Sequence, residues 1–461
     1  MKKLCFKNVY QYVATLSGSL ALVACGINLG WTSPYLPQIL NGTITEISMT
    51  SDEGSWCAVM PLIGAPLGAF LAAIFVDRIG RKYTALAMAP VTSSMFLLLG
   101  FTRSTILICL ARLIIGSVGG GLYTTLPMYY GEIADPSVRG ILTATVAIGI
   151  IIGKLIINVL GIYYSILVTS LISCSIPIIH FALFILMPES PYYFIKKGRY
   201  EEAKKSLQKL RSSSDVEQEL KSLKEAVSRQ ENDTKGKITD IFTVTSVRRA
   251  MIIFIILNLT KKYSGKDPFL FYTTTIFQTA EGSVDPNLSV IIYIAVEIFA
   301  TTSALFFIDR IGRKPIIIFS AIGCTITLAC TGLYFFLKEN NSSYIKELGW
   351  LPITTLVIYN ICYSLGLELA PTIYLGELFP TNIKATALGL GDSFSAVNGA
   401  IAVKVFQLLV DFEGMFMSFW IFSGCCSIGL IFIIKYVPET KNKTLEEIQL
   451  YLIKKSAKTN S

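Results

Sequence analysis

Asp77-Arg78-Ile79-Gly80-Arg81-Lys82 closes one long apolar run and leads straight into another, and the same six residues return as Asp309 to Lys314. Two further pairs keep the same order. Gly131-Glu132 with Arg139 matches Gly376-Glu377 with Lys384, and Pro188-Glu189-Ser190 matches Pro438-Glu439-Thr440. The offsets of 232, 245 and 250 residues mean that one ancestral half is written twice in the same direction.

Composition sets the class of both halves. The chain has 461 residues, 52% of them hydrophobic and only 15% charged, with a mean hydropathy of +0.58. That is too apolar for a water-soluble globule. Each crossing of a hydrocarbon core of roughly 30 Å takes about 20 residues of helix, because the backbone must satisfy its own hydrogen bonds there. The expected fold is an all-α membrane protein, with twelve transmembrane helices in two parallel-repeat six-helix bundles. The expected domains are residues 1–187 and 248–437 as bundles, 188–247 as a cytosolic linker and 438–461 as a cytosolic tail. Parallel repeats of this kind point to a transporter with its site between the halves.

The net charge of +9 does not imply nucleic acid, because the basic residues sit in the loops between spans rather than in one groove. Residues 32–55 and 279–288 hold no Lys or Arg, which places them outside and both termini in the cytosol. Asn41, Asn340 and Asn341 are then N-glycosylation acceptors on the outer side. Most of the ten cysteines fall in apolar runs, where a free thiol packs as a small residue. His180 is the only histidine, and no metal-ligand spacing, cofactor motif or ATP motif is present.

Two spans read as interrupted. The first, 11–31, carries Gly26, Asn28, Gly30 and Pro34 toward its outer end, with close helix packing as the alternative reading of its glycines. The seventh runs from 250 to 277 and breaks at Thr260-Lys261-Lys262-Tyr263-Ser264-Gly265-Lys266-Asp267-Pro268. Neither half could cross alone at about 1.5 Å per residue, so the break falls near mid-membrane, where it points to a binding site. Ionisable residues inside spans call for partners: Lys154 in the fifth, Glu297 in the eighth, Glu368 in the tenth, and Asp392 and Lys404 in the eleventh. If the helix continued through the break, Lys262 and Lys266 would share one face and need a carboxylate between them. The linker's Leu207, Leu210, Leu220 and Leu223 recur at helical spacing and predict short amphipathic helices.

Together these motifs resemble the sugar-porter branch of the major facilitator superfamily, from about residue 15 to residue 450. The residues that carry the resemblance are the two six-residue repeats, Arg112 with Gly116, Pro127 through Gly140, Pro188 to Pro191, Gly376-Glu377 with Pro380, and the Pro-Glu-Thr-Lys ending. Gly30-Trp31-Thr32-Ser33-Pro34 and Pro191-Tyr192-Tyr193 look most like the insect facilitators of trehalose and glucose. The resemblance implies an inner gate of cytosolic charges: Asp77, Arg78, Arg81, Glu132, Arg139, Asp309, Arg310, Arg313, Glu377 and Lys384. Exposed ion pairs of about 0–1 kcal/mol each suit that role, since a network of them biases a state yet breaks in every cycle.

The resemblance also implies a solute site, and there the sequence departs from the family pattern. Lys261, Lys262 and Asp267 stand where sugar porters carry two glutamines and an asparagine, while Ser264, Gly265 and Tyr272 keep the register. Ala147, Thr372 and Ser395 stand where a glutamine, a tryptophan and an asparagine are usual. The candidate substrate-binding set is Asn28, Ala147, Lys154, Lys261, Lys262, Asp267, Tyr272, Glu297, Glu368, Thr372 and Ser395. Asn28 cannot titrate where proton-coupled relatives place Asp, which favours facilitated diffusion. The expected function is passive sugar transport by alternating access in the plasma membrane. A carrier of a non-sugar solute, such as an anion, and a receptor-like protein without transport remain the alternatives. No nucleophile, base and orienter can be assembled, so an enzyme is not expected.

Overall fold

A computed structural model of the protein describes residues 9–232, 243–379, 381–441, 443 and 447–448. Among these residues there is no strand, and almost every apolar run of the sequence is a helix. In order, the first half contains α1 (Val9–Gly30), α2 (Thr32–Leu40), α3 (Ser51–Ile79), α4 (Arg81–Phe101), α5 (Thr105–Ile133), α6 (Arg139–Tyr163) and α7 (Ile166–Phe184). The linker supplies α8 (Pro191–Lys196), α9 (Tyr200–Arg211) and α10 (Glu217–Asn232), the short helices expected from its leucine spacing. The second half contains α11 (Thr245–Lys262), α12 (Lys266–Ala280), α13 (Pro286–Ile311), α14 (Arg313–Glu339), α15 (Leu351–Leu365), α16 (Ala370–Leu378), α17 (Thr381–Glu413) and α18 (Met415–Tyr436).

Among the described residues, eleven helical stretches are long and apolar enough to cross a membrane, and the α11–α12 pair is a further, broken crossing. The first span differs from expectation. α1 runs without a break through Gly26 and Asn28 to Gly30, and the chain turns only at Trp31 before α2 continues to Leu40. Pro34 falls in the first turn of α2, where a missing N–H costs nothing. Residues 35–40 are therefore helix and not outer loop.

The described residues pack as two compact units. One comprises Met1–Trp31, Gly42–Met49 and Met60–Thr234, the other Thr32–Asn41, Thr50–Val59 and Lys235–Ser461. In the first unit, glycines set the helix crossings. A Cβ on Gly26 would lie 2.1 Å from the Ile150 carbonyl oxygen, and one on Gly153 would lie 2.1 Å from that of Val23. Gly26 and Gly30 thus serve close packing of α1 on α6, the packing reading of those two glycines. α3 and α5 meet the same way, through Gly64 and Gly68 on one and Gly116 and Gly120 on the other.

The second unit has an aromatic core. Phe269 of α12 stacks on Phe419 at 5.1 Å and meets Tyr359 edge-on at 5.2 Å, and Phe335 stacks on Phe419 at 5.4 Å. This core fixes α12 directly beyond the break in the seventh span. Residues Thr32–Asn41 and Thr50–Val59, the adjoining ends of the first two spans, pack with this unit. Ser33 Oγ lies 2.9 Å from Thr274 Oγ1, and a Cβ on Gly54 would press on Leu36 Cδ1 at 2.6 Å.

Candidate functional site

The break in the seventh span is narrower than the sequence implied, occupying only Tyr263, Ser264 and Gly265 between α11 and α12. Gly265 takes φ +91°, a left-handed turn open to glycine, and Phe269 fills the space where its Cβ would be. The freed carbonyls find partners: Ser264 Oγ donates to the Lys261 oxygen at 2.7 Å, and Tyr359 Oη donates to the Ser264 oxygen at 3.0 Å. Because the chain turns here, Lys262 and Lys266 do not share a helix face. Each has its own carboxylate.

Lys262 Nζ sits 2.8 Å from Asp267 Oδ2, so the last turn of α11 is tied to the first turn of α12. Both charges also suit the helix ends they occupy, a cation at a C-terminus and an anion at an N-terminus. Lys266 lies 3.3 Å from Glu297 Oε1 of α13 and donates to Asn360 Oδ1 of α15 at 2.7 Å, beneath the rings of Tyr293 and Tyr363. Asn360 in turn donates to the Tyr293 carbonyl at 2.8 Å. This ion pair is buried, with side-chain exposures of 10% and 2%.

The tenth span is broken as well, which the sequence reading did not anticipate. α15 ends at Leu365, and Gly366 to Leu369 separate it from α16. Glu368 sits in that gap, its backbone oxygen accepting from Lys261 Nζ at 2.8 Å. Ser320 Oγ receives the Leu367 N–H at 3.0 Å. Two broken spans are thereby stapled together by Lys261. The signal available in sequence was Gly366 close before Pro371, a pairing that also fits an unbroken packed helix.

The other candidate residues divide between the two units. In the first, Asn28 is buried and donates to the Arg112 carbonyl at 3.4 Å, while its Oδ1 has no partner among the described residues. The Arg112 guanidinium lies 5.1 Å from the Trp31 ring. Lys154 is buried on α6 beside α1, where a Cβ on Gly30 would come within 3.1 Å of its Cα. Ala147 is half-buried on the same helix. In the second unit, Tyr272 is buried at a local kink in α12 (φ −113°, ψ 16°), packs on Phe406 at 5.4 Å, and leaves its hydroxyl unpartnered among the described residues. Thr372 is exposed on α16 and Ser395 half-buried on α17.

The charged loops form one network per unit, and the two match position by position. At the α3–α4 turn Gly80 has φ +102°, and the Glu189 carboxylate accepts the N–H groups of Arg81 and Lys82 at 3.0–3.1 Å. At the α13–α14 turn Gly312 has φ +112°, and Glu439 accepts those of Arg313 and Lys314 at 3.2 and 3.0 Å. Arg81 pairs with Glu132 at 2.9 Å and Arg313 with Glu377 at 3.1 Å. Tyr129 donates to the Pro188 oxygen at 2.7 Å, as Tyr374 does to that of Pro438 at 2.8 Å. Each repeated motif is therefore a helix N-terminus capped by a remote glutamate. Asp77 adds contacts to Arg81 and Lys196 in the first unit. Arg78, Arg139 and Arg310 are exposed; the side chains of Asp309 and Lys384 lie outside the described residues, as do residues 233–242 of the linker and most of the tail.

The two capping glutamates differ in charge balance. Burial pushes the Glu189 pKa up, more than the N–H groups of Ser190 and Lys82 and the Arg81 charge pull it down. For Glu439 burial also acts upward, but the N–H groups of Lys441, Lys314, Arg313 and Thr440 outweigh it and hold the carboxyl below its usual range. A depressed folded pKa contributes stability that is present above the unfolded value and lost as pH falls through the folded one. A raised carboxyl pKa acts oppositely, costing stability as pH rises through it. Glu439→Gln is therefore expected to lower thermal stability in detergent more than Glu189→Gln at pH 7, with the gap closing as the melts are repeated toward pH 4. Equal losses at both pH values would contradict this assignment.

Twelve crossings written as two repeats of six, each with its own capped and ion-paired turn, define a secondary transporter of the major facilitator fold. Comparison with known proteins agrees. The chain belongs to the sugar (and other) transporter family, which it matches over residues 13–452. It is 35% identical over 442 residues to a facilitated trehalose transporter of Polypedilum vanderplanki, covering 95% of this chain and 87% of the relative. A facilitated trehalose transporter of Culex quinquefasciatus is 33% identical, with 95% and 85% covered, and one of Drosophila pseudoobscura pseudoobscura is 34% identical, with half of its longer chain (51%) spanned. Inward-open and partially occluded structures of the E. coli xylose transporter XylE share the fold, at TM-scores of 0.78 and 0.77 and identities of 22% and 20%, covering 96% and 95% of this chain and 100% of theirs. The protein is an integral, multi-pass membrane transporter of that family.

Proposed function

We propose that this carrier moves a neutral sugar, trehalose or a hexose, down its gradient by alternating access across the plasma membrane, with both termini cytosolic. The observation that carries the neutral substrate is the pairing of the seventh-span lysines. Lys262 is held by Asp267, Lys266 by Glu297 and Lys261 by the Glu368 carbonyl. With Lys262 and Lys266 matched by carboxylates and Lys261 held on a backbone carbonyl, the site offers an anionic solute little, whereas a Lys–Asp pair presents both donors and acceptors to hydroxyl groups. In the same unit the buried Tyr272 Oη, without a partner among the described residues, is a further polar position. Asn28 in place of a titratable group supports uncoupled transport.

The capped turns would act as the inner gate, with Arg81–Glu132 and Arg313–Glu377 as its pairs, which are largely buried and not the exposed pairs expected. Asn41, Asn340 and Asn341 are exposed, which supports their role as acceptors on the outer face; a glycosidase-sensitive mass shift checks it. The function is tested by uptake of radiolabelled trehalose and glucose into proteoliposomes. The expected result is saturable, non-concentrative flux of at least one of them, unaffected by a proton gradient, with Glu132→Gln altering the ratio of exchange to net uptake. Saturable flux of a small organic anion alone, or binding of sugar without flux, would overturn the reading.

A further inference from the structure

The outer turns of α3 carry a polar cluster that the sugar-carrier reading does not use. Lys404 of α17 donates to Asp52 Oδ1 at 2.7 Å and to Ser55 Oγ at 2.6 Å, and its ammonium lies 4.3 Å from the centre of the Trp56 ring. One turn further along α17, Gln407 Nε2 donates to Ser51 Oγ at 2.6 Å and to Asp411 Oδ1 at 2.7 Å. Ser51 Oγ also reaches Asp411 at 3.2–3.3 Å. Every polar side chain on this face of residues 51–56 is thus engaged by α17.

Asp52 is not needed to start its own helix. Thr50 and Glu53 form a reciprocal capping box there: Glu53 Oε2 accepts the Thr50 N–H at 2.8 Å, and Thr50 Oγ1 accepts the Glu53 N–H at 3.2 Å. Its carboxylate is therefore available to Lys404. The helix to which it belongs is divided, since Thr50–Val59 pack with the second unit and Met60–Ile79 with the first. Directly after the cluster, Cys57, Ala58 and Val59 are wholly buried in the second unit.

We propose that Lys404 is a positioning residue of the transport step, a latch that holds the outer turns of the second span against the eleventh and must let go before solute enters from outside. This rests on the carrier reading. The chemistry suits a reversible hold, because the acidic partner is 72% exposed and its ion pair is weak and salt-screened, while the stack on Trp56 gives the ammonium a defined seat.

Cys57 supplies a native reporter. In purified full-length protein in detergent, maleimide modification of Cys57, read by peptide mass spectrometry, should be slow. Lys404→Met and Asp52→Asn should each speed it by up to about fivefold, the scale set by one exposed ion pair. The reversed pair Asp52→Lys with Lys404→Asp should restore slow modification, and 0.5 M salt should speed the wild type but not Lys404→Met. Transport kinetics in proteoliposomes should show Lys404→Met changing the ratio of outward-side to inward-side KM, which lost packing alone would not move selectively. Unchanged Cys57 reactivity in both single variants, or fast modification in the reversed pair, would overturn the latch. Because labelling needs no sugar, failure of uptake in the wild type would count against the carrier reading and leave this result standing apart.

Discussion

Glu297→Gln is expected to destabilise the second unit by about 3–5 kcal/mol, the usual cost of leaving one partner of a buried ion pair uncompensated. Lys266 is the partner left behind. It sits 3.3 Å from Glu297, with Asn360 and the rings of Tyr293 and Tyr363 as its other contacts, none of which carries a charge to replace the carboxylate. Lys266→Met should also cost stability, because Glu297 loses the cation beside it. The double variant Lys266→Met with Glu297→Gln removes both charges and should recover most of the loss. Such non-additivity is what residues in direct contact show, and it is read from thermal unfolding of detergent-solubilised protein for the four members of the cycle. Were Lys266 instead an anion receptor, Lys266→Met would leave stability near the wild type and Glu297→Gln would tighten anion binding. A double variant no more stable than the worse single one would defeat the ion-pair account.

The same cluster shows what could and could not be read along the chain. That Lys262, Lys266, Asp267 and Glu297 belong together follows from the expense of ionisable groups at membrane depth, and the structure does join them. Their pairing was not legible, because it turns on one backbone angle. With an unbroken helix, Lys262 and Lys266 would point the same way; with Gly265 at φ +91° they diverge, one toward Asp267 and the other toward Glu297. The break itself was visible as a run of polar residues between two apolar stretches too short to cross singly. The break at Gly366 was not, since an apolar run with one glycine and one proline is common to bent and straight spans.

The repeat was legible for a different reason. Asp77 to Lys82 and Asp309 to Lys314 are local strings, and the structure gives each the same physical job, a glycine turn whose next helix is capped by Glu189 or Glu439 more than a hundred residues on. The capping link is long-range, yet it recurs in both halves, so matching offsets revealed it. The hold of Lys404 on Asp52 has no such second copy and no local periodicity. Nothing in either stretch marks its partner, and only coordinates bring them together. α2 escaped for a related reason: Pro34 and Pro37 argue locally for a loop, while packing beside α12, with Ser33 against Thr274, keeps the segment helical.

Gly68→Ala, a single added methyl group, is expected to abolish folded protein. Gly64 and Gly68 on α3 are four residues apart, as are Gly116 and Gly120 on α5, so each helix presents a bare strip of backbone to the other. A Cβ at Gly68 would stand 1.6 Å from the Ser117 carbonyl oxygen, and one at Gly120 would stand 2.0 Å from that of Ala65. The obstructing atoms are main chain on both sides, so no rotamer change relieves the clash and the two helices would have to separate along their crossing. Overpacking in ordinary cores costs about 1–3 kcal/mol when side chains can give way, and here none can. Gly119→Ala on the same helix is the matched control, because its Cβ would meet Cys25 Sγ at an ordinary 3.5 Å. The expected readout is wild-type yield of monodisperse protein for Gly119→Ala and little or none for Gly68→Ala by size-exclusion chromatography. Comparable yields would mean that α3 and α5 do not approach through their glycines, and the packing of the first unit would need another basis.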